Sequence, residues 1–477
     1  MGGLNEYEDY DAIGLAELVR KGDVTPGELL DEACERVEER NPQINAIIYS
    51  LVDAARAEIS AGLPDGPFRG VPFLMKDLHA SVAGAPLTNG SKLFKDAIAS
   101  HDSELVRRYR RAGLVIFGKT NTPELGLSVS TEPALFGACR NPYNLDRTTG
   151  GSSGGAGASV AARILPAAHA SDGGGSIRIP AACCGLFGLK PTRGRTPMGP
   201  EVSEGWAGMS AQHVVSMTVR DSAALLDATH GAAAGDPYAA PAVDASFLSQ
   251  VGRAPGRLRI AISTAAFNGS AVDDQCVQAA EDAARLCEQL GHDVEIASPN
   301  VDTELQRKST ATIIGANTLS SLTARAAALG RTLAEDDVEK LTYTVAQMGA
   351  GASAADYSDA VRGIHALGRE LGSFFEDYDV LLTPMLARPP IPLGILDMNT
   401  DDPASYIDAL VAFTAFSQLF NATGQPAMSV PLAMSNEQTP IGVQFAGRFG
   451  DEATLLRLAA QLETASPWRD RMPSLLL

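Results

Sequence analysis

Apolar positions recur along this chain with two different periods, and each period marks one kind of element. Leu29, Leu30, Ala33 and Val37 follow helical spacing after Thr25-Pro26-Gly27-Glu28, a capping box with proline at the first helical position, so a helix is predicted over 26–40. Ser103 caps a second helix that runs to Gly113. Further helices are predicted over 274–290, stopped by Gly291, and over 355–375, 405–421 and 451–464. Short apolar runs predict buried strands over 71–75, ending at Lys76, and over 114–117, 258–263, 293–296, 380–383, 427–431 and 441–446. Helices and strands alternate throughout, which places the chain in the α/β class.

Two stretches fall outside both periods. Residues 150–200 are rich in Gly, Ala and Pro and read as loops with one small-residue helix near 157–165. Residues 231–257 read as a long irregular connection. Residues 205–210 and 301–350 match no pattern, so the part of the chain that would select a substrate stays open.

Composition narrows the class. With 477 residues, 45% of them apolar, the chain can bury its own core, and length alone suggests about three domains. No stretch is apolar enough to span a bilayer. The start, Met1-Gly2-Gly3-Leu4-Asn5-Glu6, lacks the basic and apolar regions of a signal peptide, so a cytoplasmic protein is expected. The six cysteines show no zinc-type spacing and are expected to be reduced and buried. No metal and no cofactor is expected. A net charge of −19 disfavours nucleic acid and anionic membranes as partners.

The candidate chemistry sits in two glycine clusters. Ser152 lies in Gly150-Gly151-Ser152-Ser153-Gly154-Gly155, and Ser176, 24 residues on, in Ser171-Asp172-Gly173-Gly174-Gly175-Ser176. Dense glycine this close to serine points to backbone packed tightly around acyl chemistry. Gly113-Leu-Val-Ile-Phe-Gly118-Lys119-Thr120 formally matches a phosphate-binding loop, but its middle residues are strand formers and Pro123 follows at once. Gly151-Ser152-Ser153-Gly154-Gly155 also matches the nucleophile elbow of a Ser-His-Asp esterase, yet no strand precedes it, and His213, His230, His292 and His365 sit in no distinctive setting. A flexible linker would explain the first cluster alone, but not a second cluster so close behind it.

The block from Gly150 to Thr192 resembles the signature of the amidase signature family of serine hydrolases. So do Gly118-Lys119-Thr120-Asn121-Thr122-Pro123-Glu124, Cys184-Gly185-Leu186-Phe187-Gly188-Leu189-Lys190-Pro191-Thr192 and Phe420-Asn421-Ala422-Thr423-Gly424-Gln425-Pro426-Ala427. Within the family the chain is most similar to bacterial amidases acting on nylon-oligomer cyclic dimers and aryl amides. The resemblance implies one α/β/α domain over 1–477, with a large mixed sheet covered by helices on both faces. Its parts would be N-terminal helices at about 8–60, a signature core at about 68–230, the connection 231–257 and a C-terminal α/β part over 258–477.

Carried over residue by residue, the resemblance makes Ser176 the nucleophile, Ser152 the bridging serine after a cis bond to Gly151, and Lys76 the base. A lysine acts so only when neutral, and an apolar site favours that state. Gly173, Gly174, Gly175 and Ser176 would supply oxyanion N–H groups. Ser171 is expected either to orient Lys76 or to be a turn serine, Ser153 to cap a helix, and Arg178 and Asp77 to hold loops. Asp172 is expected to support the site. The family pattern usually has Thr or Ile where Gly173 stands, and this glycine is expected to loosen the oxyanion loop or make room for a bulky substrate.

The expected activity is hydrolysis of a small, aryl or cyclic amide, or of a carbamate or ester, through an acyl-enzyme, with the amide substrate and water as partners and a homodimer as the default assembly. The alternatives are the glutamine-hydrolysing subunit of a tRNA-dependent amidotransferase, the Ser-His-Asp esterase, and a catalytically silent binding protein.

Overall fold

The computed structural model describes residues 6–477. Met1–Asn5, part of the segment read above for a leader, lies outside the described residues.

The strands are β1 (Ile47–Ser50), β2 (Pro72–Lys76), β3 (Val115–Thr120), β4 (Arg140–Asn141), β5 (Asn144–Thr148), β6 (Ala167–Asp172), β7 (Phe187–Lys190), β8 (Ala211–Ser216), β9 (Arg259–Ile262), β10 (Asp293–Ile296), β11 (Val380–Pro384), β12 (Ala427–Met434) and β13 (Pro440–Gly447). Eight of them form one mixed sheet in the order β10-β9-β11-β13-β12-β7-β8-β6. Only β10-β9 and β9-β11 pair in parallel there. The strand that carries Lys76 lies elsewhere, at the edge of a small sheet ordered β1-β3-β2.

The helices are α1 (Ala12–Lys21), α2 (Pro26–Ile44), α3 (Val52–Ala61), α4 (Glu104–Arg111), α5 (Gly154–Ala161), α6 (Arg178–Cys184), α7 (Val219–Thr229), α8 (Asp274–Gln289), α9 (Thr303–Ala328), α10 (Lys340–Ala350), α11 (Ala354–Asp377), α12 (Pro403–Phe413), α13 (Leu419–Thr423) and α14 (Glu452–Ala465). They cover both faces of the large sheet, as strand alternation requires. Ile260, Ile262, Val380 and Leu382 pack with α7, α8 and α14. Their neighbours Ala261 and Leu381 pack on the other side with Leu371 and Phe375 of α11 and Phe420 of α13. No described helix is long and apolar enough to cross a membrane.

Most predicted elements stand within a few residues of their expected bounds, and three differences matter. The glycine-rich 150–200 region holds two strands and two helices rather than loops and one helix. Ala167-Ala-His-Ala-Ser-Asp lacks the branched residues that mark a strand, and pairing with β8 makes it one. The predicted 405–421 helix is two, α12 and α13, separated by 414–418. The unread 301–350 region is a helical hairpin, α9 and α10, in which Gly315 and Gly349 lie in backbone contact. The supposed phosphate loop is mostly strand β3, and its Lys119 is buried against Asp77 at 3.4 Å.

Candidate active site

All five residues of β2 are buried, and Lys76 at its end is fully enclosed. Its backbone N–H donates to Nδ1 of His169 at 3.3 Å, tying the small sheet to β6 of the large one. Its ammonium nitrogen lies 2.7 Å from Ser152 Oγ and 2.9 Å from Ser171 Oγ. Burial lowers the Lys76 pKa to about 7 against an opposing pull from Asp172. A neutral amine is therefore accessible near neutral pH, beside a hydroxyl.

Ser152 is buried, and the Gly151–Ser152 peptide is cis. The 150–153 loop rests on the start of α6, because a side chain at Gly150 would meet Ile179 and the backbone of Pro180 at 3.0 Å. Ser176 stands two residues before α6, so the first glycine cluster packs against the helix that follows the second. Ser176 is buried to within 7% and makes no side-chain hydrogen bond among the described residues.

Ser171 Oγ accepts from the Lys76 amine, and Ser153 in turn holds Ser171. Ser153 occupies the N-cap position of α5, but its hydroxyl caps nothing. Instead it donates to the Ser171 carbonyl at 3.1 Å and accepts the Ser171 N–H at 3.3 Å. With φ −96° and ψ 40°, Ser153 departs from the extended backbone that capping side chains use.

Asp172 organises the loop between Ser171 and Ser176. Its carboxylate accepts from the N–H groups of Gly175 at 2.7 Å and Ile177 at 3.1 Å, from Arg178 Nε at 2.9 Å and from Asn421 Nδ2 at 2.8 Å. Burial raises its pKa, but the Arg178 charge and hydrogen bonds, with Lys190 and Asn421, bring it well below the usual carboxylate range. Arg178, also fully buried, reaches on to the Ser417 carbonyl at 3.0 Å, Gln444 Oε1 at 2.6 Å and Asn421 Oδ1 at 2.7 Å. The loop is thus held by one buried ion pair with its remaining valences satisfied.

The three glycines differ in role. Gly175 has φ +128°, and a side chain there would strike Ile179 and Ser417 at 2.7 Å. Its N–H is taken by Asp172, so the donor set left for an oxyanion narrows to Gly173, Gly174 and Ser176. At Gly173 a side chain would meet the Trp206 ring at 2.7 Å and Ser210 Oγ at 3.1 Å. The space that a Thr or Ile side chain would take is occupied by the indole. Ser417 Oγ donates to the Gly174 carbonyl at 2.6 Å.

Trp206, Ser417 and Asn421 were not foreseen. The sequence signal was present only for Asn421, inside the late family-like stretch. The histidines are spent elsewhere: His213 contacts Ser222 Oγ at 2.9 Å and His292 contacts Gln461 Oε1 at 2.9 Å. Burial lowers the pKa of His213 to about 3. None of them bonds Ser152 or Ser176, which removes the footing of the Ser-His-Asp alternative. Among the described residues no cluster of three His, Cys, Asp or Glu could hold a metal ion.

The family model for amidases matches residues 28–456. The chain belongs to the amidase signature family. This amidase is 40% identical over 478 residues to the 6-aminohexanoate-cyclic-dimer hydrolase of Paenarthrobacter ureafaciens, covering 98% of the chain and 97% of the relative. The solved structure of a 6-aminohexanoate cyclic dimer hydrolase superposes with a TM-score of 0.93 at 38% identity, over 98% of this amidase and 99% of that chain. A bacterial aryl acylamidase of the same family superposes with a TM-score of 0.89 at 28% identity, over 97% of each chain. The amidase therefore hydrolyses amide C–N bonds.

Proposed function

We propose that this amidase cleaves small cyclic or aryl amides through an acyl-enzyme on Ser176. The observation that carries the reading is the 2.7 Å contact between Lys76 Nζ and Ser152 Oγ in a buried setting where the amine can lose its charge. Neutral Lys76 draws the proton of Ser152, and Ser152 in turn takes that of Ser176 as the latter attacks the amide carbon. The N–H groups of Gly173, Gly174 and Ser176 receive the developing oxyanion. Collapse returns the proton through Ser152 to the departing amine, and water then repeats the sequence on the ester.

The substrate class rests on likeness to the cyclic-dimer hydrolase and the aryl acylamidase. The Trp206 ring against Gly173 supports an aromatic or apolar acyl side near the reacting carbon. Unpaired, mostly buried cysteines suit the reducing cytoplasm. The test is a panel of anilides, cyclic dimers, carbamates and esters with wild type and Ser176→Ala. Wild type is expected to turn over at least one amide and to be labelled at Ser176 by a fluorophosphonate, while the variant does neither. Full turnover by Ser176→Ala overturns the assignment.

A further inference from the structure

Away from the catalytic serines, a cleft of about 640 Å³ lies between α11, the end of α13 and the turn after β13. That size suits a small organic ligand. Arg193, Arg369 and Arg448 line it together, with a single carboxylate, Glu376, among its described lining residues. Three guanidiniums facing one cleft are conspicuous in a chain of net charge −19.

The cations are incompletely matched. Arg369 is exposed and forms no salt bridge among the described residues. Arg193 spends Nε on the Gly208 carbonyl at 2.8 Å and Nη2 on the carbonyls of Asn421 and Ala422 at 3.2 and 2.8 Å. Its Nη1 donors have no partner among the described residues. Arg448 is paired with Asp379 at 2.7 Å, and its Nε donates to the Phe375 carbonyl.

A second, independent sign of a ligand is Gln425, which also lines the cleft. It is only 2% exposed, yet its amide makes no hydrogen bond among the described residues, which leaves its Nε2 as a donor without an acceptor. A buried N–H without a partner is unfavourable unless an acceptor arrives to satisfy it. The walls are apolar: buried Phe375 and Phe449, the latter 47% exposed at the rim. The floor is built closely. At Gly424, φ +91°, a side chain would meet Phe449 at 3.1 Å and Arg193 at 3.2 Å, so the glycine lets both residues approach the α13 terminus.

We propose that this cleft is a second binding site, taking a small monocarboxylate with an apolar body that accepts from Arg193, Arg369 and Gln425 Nε2. Guanidinium is the side chain best matched to a carboxylate, and the phenyl walls take the hydrocarbon. The site adjoins the catalytic loop through α13. Arg193 holds the Asn421 carbonyl while the Asn421 side chain holds Asp172. Amide hydrolysis itself releases a carboxylic acid, so the occupant is either the reaction's own product or an unrelated acid of the same chemistry.

The inference stands apart from the triad, because it is tested by binding rather than turnover. Hexanoate and benzoate are titrated calorimetrically into Ser176→Ala protein, with hexylamine and inorganic phosphate as contrasts. Saturable binding at about 1 mM or tighter is expected for the carboxylates alone. Arg369→Glu, at an exposed position, should leave folding and basal activity intact and weaken binding at least about tenfold. Gln425→Leu should weaken it too. Wild type blocked at Ser176 by a fluorophosphonate should still bind. If the acid released from the turned-over amide binds tighter than hexanoate, the product is the occupant; equal binding assigns the site to unrelated acids. No saturable heat, phosphate binding as tight as hexanoate, indifference to Arg369→Glu, or loss of binding on blocking Ser176 overturns the proposal.

Discussion

At the scale of single residues the site is an exercise in charge control. To act as the proposed base Lys76 must be neutral, and burial brings its pKa to about 7. The rate kcat/KM for a neutral amide should therefore rise through about pH 7 and level off above it. A profile flat from pH 5 to 9 would contradict a lysine base. Between about pH 7 and the ordinary lysine value near 10.5, the unfolded chain holds a proton that folded Lys76 has lost. Stability from this group hence rises with pH across that window, and its burial is most unfavourable below it. Lys76→Met should be inactive yet melt higher than wild type at pH 6, with the gain shrinking toward pH 10. Asp172 has the opposite character. Its pKa is depressed, so its stabilisation is present above the normal carboxylate range and lost only in strong acid. Asp172→Ala strands Arg178 without its carboxylate in a fully buried place, and should destabilise by about 3–5 kcal/mol as well as unfix the 173–176 loop. Denaturant midpoints of the two variants at pH 6 should move in opposite directions.

At the scale of elements, what could be read in the sequence depended on how much each segment says for itself. Helix α2 announced itself through Thr25, Pro26 and Glu28, and its capping box is formed as expected. The strand ending at Lys76 was plain because its first four residues are a short apolar run and the whole strand is buried. Strand β6 was not, since Ala167, Ala168 and Ala170 carry little β preference, and only the neighbouring strand makes them one. The break between α12 and α13 was equally hidden: nothing local in 414–418 forbids a helix, yet the break lets Ser417 reach Gly174 and Arg178. Ser152 and Ser176 were legible because their glycine setting is dense and specific, while Trp206 was not, since its contact with Gly173 arises only in the fold. Helices α9 and α10 depend on a similar contact, at Gly315 and Gly349. A methyl group on Gly349 would lie 2.2 Å from the Gly315 carbonyl oxygen. Gly349→Ala must therefore push the hairpin apart and should lower stability by about 1–3 kcal/mol. Hydrogen exchange should quicken in 303–350 before it changes in β6 or β12.

At the scale of the molecule, the catalytic loop is anchored from both ends of the sequence. Asp172 and Arg178 come from the first half, while Ser417, Asn421 and Gln444, which bind them, come from the second. The large sheet repeats the arrangement, because β12 from the C-terminal half lies directly beside β7. Strand order of this kind cannot be read from local pattern: the strands predicted over 258–263 and 293–296 gave no sign that β9 would join β11, more than 80 residues further on. An interleaved sheet leaves neither half a closed core. Residues 1–257 alone would expose the β7 edge and leave Arg178 without Gln444, Asn421 and the Ser417 carbonyl. We therefore expect the chain to unfold as one unit despite its length. Scanning calorimetry of the intact protein should show a single transition, and the 1–257 fragment should be inactive and lack a cooperative melt. Two resolved transitions, or a folded fragment, would mean that the irregular 231–257 connection separates independent bodies and that the second half braces the active site only after each has folded.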